Sequence, residues 1–70
     1  MDKFIVTDKQ KVQLKTLLTK EEYEKLIVLE WEEFQDELSR CIDVRYIDDE
    51  PTKEADAIEN IYYEIYNQNL

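Results

Sequence analysis

Apolar and polar positions alternate along this chain at two periods, and the helical one dominates. From Thr19 to Ile42 the residues Tyr23, Ile27, Trp31, Phe34, Leu38 and Cys41 follow at steps of four and three, the spacing that lines one face of an α-helix. The pattern predicts a long central helix over about residues 20–41 with this stripe as its core face. Thr19 marks the start, because Glu22 three residues later completes a capping box, and Leu18 and Tyr23 occupy the positions of a hydrophobic staple. One irregularity interrupts the stripe. Leu26, Ile27, Val28 and Leu29 are four consecutive apolar residues, and steps of about 100° cannot turn them all to one side. Val28 and Leu29 fall on the back of the wheel, among Glu21, Glu22, Glu32, Asp36 and Ser39. Either the first helix or the N-terminal arm covers them, or they meet a second copy or a partner.

The flanking segments carry shorter signals. Thr7 and Gln10 repeat the capping spacing, with Lys11 where a staple residue belongs, and Leu14, Leu17 and Leu18 share a face, so a first helix is expected over about 8–18. Ahead of it, Phe4, Ile5 and Val6 suit an edge strand or an ordered arm. Ile42, Val44 and Tyr46 alternate with Asp43 and Arg45 at the period of a half-buried strand. Residues 4–6 and 42–47 therefore have the option of forming a two-stranded ribbon under the helices. After the acidic run Asp48, Asp49, Glu50 comes Pro51, which suits a helix start, and Ile58, Ile61, Tyr62 and Ile65 make the stripe of a last helix over about 52–67. Asn67 to Leu70 reads as a frayed tail. The expected fold class is mainly α: a single small three-helix domain spanning 1–70 with a long central helix 2.

Composition narrows the chemistry. The 70 residues include no His and one Cys, which removes the usual zinc ligands and any internal disulfide. Cys41 lies near Arg40 and Arg45 but on the apolar stripe, where a buried core thiol is the expectation. The row Glu30, Glu33, Glu37 brings carboxylates within reach of one another, yet carboxylate-type metal sites in helical bundles also need Glu-x-x-His elements. No glycine is present for a phosphate loop, and no motif names a family. Neither an enzyme nor a cofactor or metal protein is expected. There is no charged-then-apolar leader and no apolar run of about 18 residues, so the expectation is a cytoplasmic protein without membrane contact.

Charge points towards partners. Residues 1–18 carry a net +2, 19–40 a net −5 and 41–70 a net −6, which make up the −9 of the chain. Acids outnumber bases two to one, so direct nucleic-acid binding is not expected and a basic protein is the favoured partner. The acids equally suit a solvated face. The leading expectation is an inhibitor or regulator that presents acidic helical faces to a basic protein, a nucleic-acid-handling protein being one such partner. Its contact residues would be Glu30, Glu33, Glu37, Asp48, Asp49 and Glu50, with Trp31 or Tyr63 as aromatic anchors. The alternative is a self-associating structural or adaptor subunit, a homodimer or larger complex, joined through Val28 and Leu29.

Overall fold

Two capping boxes set the beginning of the fold in a computed structural model that describes residues 4–70. The Thr7 hydroxyl accepts from the Gln10 N–H at 3.2 Å while Gln10 Oε1 accepts from the Thr7 N–H at 2.9 Å, opening α1, Asp8–Leu17. Thr19 and Glu22 repeat the exchange at 3.1 and 2.8 Å and open α2, Lys20–Leu26. Then follow α3, Trp31–Asp43, the strands β1, Tyr46–Ile47, and β2, Glu50–Pro51, and α4, Lys53–Gln68, whose Thr52 cap accepts from the Ala55 N–H. The protein is mainly α, as its periodicity predicts.

The long central helix is in fact two helices. Tyr23 O still holds the Ile27 N–H, but the next bond, from the Leu29 N–H to Leu26 O at 3.1 Å, is the tighter three-residue kind, and Glu30 is extended at ψ 170°. No Gly or Pro lies there. An uninterrupted helix would leave Leu26 some 80° from the direction of Phe34, eight residues on. Breaking at 27–30 resets the phase. Leu26 becomes fully buried, Leu29 packs against the core, and Ile27, expected inside, is 38% exposed. Local chemistry agrees with the break: Ile27 and Val28 are β-branched, Lys25 lies in the last turn of α2, and Glu32 and Glu33 lie in the first turn of α3, each charge complementing its helix dipole.

The ribbon exists with different strands. Tyr46 pairs with Pro51 and Ile47 with Glu50, antiparallel, across a turn whose central residues Asp48 and Asp49 have φ of 51° and 65°. Positive φ at both positions is the type I′ hairpin geometry. Residues 4–6 form no strand, and residue 42 remains inside α3. Helical phase therefore decides the burial of Ile42, and the expected alternation inverts: Val44 and Tyr46 are exposed while Arg45 turns inward. Pro51 sits on this edge pair, not inside α4.

α4 packs on both α1 and α3, and α2 closes the end against α1 and α3. Leu14, Leu18, Leu26, Phe34, Leu38, Cys41, Ile42, Ala55, Ile58, Ile61 and Ile65 form one core. Its far end is fastened by amides. Buried Gln10 donates to Glu64 Oε1 at 2.7 Å and exchanges bonds with Gln68, while Gln68 and Asn69 both donate to Ile5 O and Asn69 Oδ1 accepts from the Ile5 N–H. The tail expected to fray thus holds the N-terminal arm, and the arm lays Phe4 on Phe34 and Trp31, with ring centroids 4.7 and 5.2 Å apart. Among the described residues, no helix is long and apolar enough to cross a membrane.

Candidate functional site

The seam between α3 and α4 carries aromatic residues that the core takes up only in part: Trp31 and Tyr62 pack against it while remaining half-exposed. Ile58, Ile61 and Ile65 fill the inward stripe of α4, so the run Tyr62, Tyr63, Tyr66 rises along its flank. Tyr62 is half-buried, Tyr63 is 57% exposed and Tyr66 is 39% exposed. Trp31, first residue of α3, lies 6.3 Å from Tyr66 with the ring planes 27° apart, and Tyr62 lies 5.7 Å from Tyr63 at 20°. Tyr62 and Tyr66 are one helical turn apart, which sets the two stacked pairs side by side along one flank of α4 as an aromatic shelf. Asp36 of α3 approaches closely enough that its charge, after burial and the neighbouring Tyr63, helps raise the Tyr62 hydroxyl above its ordinary pKa. Glu59 precedes Tyr62 and Tyr63 by three and four residues on the same helix. Neither Asp36 nor Glu59 forms an ion pair with any described residue.

The expected acidic row is divided by the helix break. Glu30 stands outside α3 as its N-cap residue and makes no side-chain cap bond. Glu33 and Glu37 line a shallow groove of about 320 Å³ together with Lys25, Leu29, Asp36 and Arg40. Glu37 is already occupied, by Arg40 at 3.1 Å and Lys25 at 3.7 Å, so this groove is mixed in charge. Asp48, Asp49 and Glu50 form the exposed hairpin tip. Val28 is 77% exposed at the α2–α3 turn, apart from its neighbour Leu29, which turns towards the core. Trp31 and Tyr63 are thus brought onto one shelf; the carboxylates proposed with them are spread over three places.

Arg45 was missed as a structural residue. Its guanidinium reaches Glu22 Oε1 at 2.6 Å and Oε2 at 3.1 Å and also donates to Cys41 O at 2.8 Å and Leu17 O at 3.3 Å. The paired bond holds the Glu22 carboxyl down at about 2, against an ordinary 4.5, and raises Arg45. Burial, with Glu22 nearby, pushes the Cys41 thiol up to about 11, so at neutral pH it is protonated and a poor nucleophile. A cleft of about 110 Å³ beside it is lined by Glu22, Glu37, Arg40, Cys41 and Val44. Among the described residues, no group of three or more His, Cys, Asp or Glu is placed to hold a metal ion.

Tyr66 was also missed as a surface residue, whereas Tyr62, expected on the core stripe of the last helix, is half-buried and packs against the core. A signal was present: Ile58, Ile61 and Ile65 together with tyrosines at 62, 63 and 66 spread over about 200° of the wheel, more than one buried face needs. No protein-family model matches the chain, and no curated protein and no solved structure matches it at significant similarity.

Proposed function

We propose that this is a small protein-binding regulator or inhibitor that presents acidic helical surface to a basic partner. The observation that supports this reading is the aromatic shelf of Trp31, Tyr62, Tyr63 and Tyr66 beside Asp36 and Glu59, which pair with no cation among the described residues. Interfaces favour Tyr and Trp at their centre and polar groups at their rim, and charge of one sign selects and steers a partner of the other. The hairpin tip, Asp48 to Glu50, adds closely spaced negative charge at a second point. A partner that handles nucleic acid suits this role, since its phosphate-binding groove would accept such charge.

The test uses the full chain as bait on extract of the native host at low salt. Reversing Asp48, Asp49 and Glu50 to Lys should slow association with the captured protein, added salt should do likewise, and nucleic acid should compete if its groove is the target. Undiminished association by the reversed variant, unaffected by salt, sinks the reading. A second reading is self-association through the α2–α3 turn, favoured by the exposure of Val28. Light scattering of the parent and of Val28→Lys would then show an assembly that the substitution dissolves.

A further inference from the structure

Resting on the basic-partner reading, we infer that the shelf of Trp31, Tyr66, Tyr62 and Tyr63, bordered by Asp36 and Glu59, seats an arginine-bearing segment of the partner. The guanidinium groups lie on the ring faces, and the two carboxylates accept their N–H bonds. Three features select this occupant. The rings of each pair are stacked, with centroids 6.3 and 5.7 Å apart and planes only 27° and 20° from parallel, which makes a floor that a flat group can extend. A planar cation suits a floor, because guanidinium can stack on a ring while keeping its edge donors for carboxylates; the ammonium of lysine is compact and strongly hydrated. The border is also free to accept. The nearest following cation along α3, Arg40, is engaged by Glu37, which leaves Asp36 without an ionic partner among the described residues. Nucleobases stack on aromatic shelves too, but their backbone needs flanking Lys and Arg, and carboxylates flank this shelf.

Trp31 is the single tryptophan of the chain, so its fluorescence reports directly on the shelf. Two acetylated and amidated peptides of equal length and charge, arginine alternating with serine and lysine alternating with serine, are titrated into the intact protein at low salt. Binding is followed by Trp31 emission and by aromatic NMR resonances. The arginine peptide should shift the rings of Trp31, Tyr63 and Tyr66 and bind about two- to fivefold tighter than the lysine peptide. Tyr63→Ala should erase most of that margin while the thermal midpoint stays near the parent's, because the ring is largely exposed. Equal affinity for both peptides with undisturbed rings would overturn the arginine seat and leave the basic-partner reading standing. Failure of both peptides to bind at low salt would overturn both.

Discussion

Arg45 joins three elements with one side chain: the capping carboxylate of α2, the last carbonyl of α1 at Leu17, and the Cys41 carbonyl near the end of α3. Its partner Glu22 is not deeply buried, its side chain being 24% exposed, so solvent screening limits the gain from the charge. Replacing Glu22 by Gln keeps a capping side chain and removes the charge, and should cost about 1–2 kcal/mol at neutral pH. The pH dependence has a definite sign. A carboxyl held at about 2 in the folded state and titrating near 4.5 when unfolded stabilises the fold above the higher value and loses that contribution as pH falls through the lower one. The difference in thermal midpoint between parent and Glu22→Gln should therefore be constant above about pH 5, shrink as the pH falls and vanish below about pH 2. A difference that persists into strong acid would mean that the charged pair is not its source.

Elements show where local pattern ends and packing begins. Both capping boxes, the start of α4 near Thr52 and the stripe Ile58, Ile61, Ile65 were legible, because each depends on residues within a turn or two of one another. The interruption at 27–30 was not, since its advantage lies in turning Leu26 and Leu29 towards residues far along the chain. The hairpin was not legible either: the ribbon is expected between residues 4–6 and 42–47, whereas Tyr46 and Ile47 pair across the acidic run with Glu50 and Pro51, which the sequence reads as the approach to the last helix. Asp48 and Asp49 occupy left-handed positions where Asn-Gly is the favoured pair. Asp49→Gly removes the Cβ conflict and should stabilise the protein by about 0.5–1 kcal/mol. That gain would raise the thermal midpoint by about 2–8 °C in a domain of this length. A midpoint that falls instead would show that the unfolded-state freedom of glycine outweighs the relief in the turn.

The whole molecule depends on one core and on the closure of its two ends. A radius of gyration of 11.6 Å is close to the roughly 11 Å expected for this length, so the chain is packed as tightly as an ordinary domain. Stability at this size is roughly 4–10 kcal/mol. Leu38 and Phe34 are essentially fully buried at the middle of that core, and Leu38→Ala should remove about 2–5 kcal/mol, a large share of the total. Urea titration should then show a midpoint far below the parent's. A variant that melts like the parent would require another face of α3 to be the core face.

The sequence by itself determined the helical class, the places where α1, α2 and α4 begin, the core positions Phe34, Leu38 and Cys41 of α3 and Ile58, Ile61 and Ile65 of α4, and the opposition of basic residues 1–18 to an acidic remainder. All of these follow from neighbours within a few residues or from simple counting. Only the tertiary structure decided that the central helix breaks, that Arg45 turns inward while Val44 turns out, that Gln68 and Asn69 clasp the arm at Ile5, and that Trp31 meets Tyr66. Each of those depends on which surface another element covers. A helical wheel gives the direction of a side chain about its own axis, but burial is set by what stands opposite, and here α4 and α1 stand opposite segments up to some sixty residues distant.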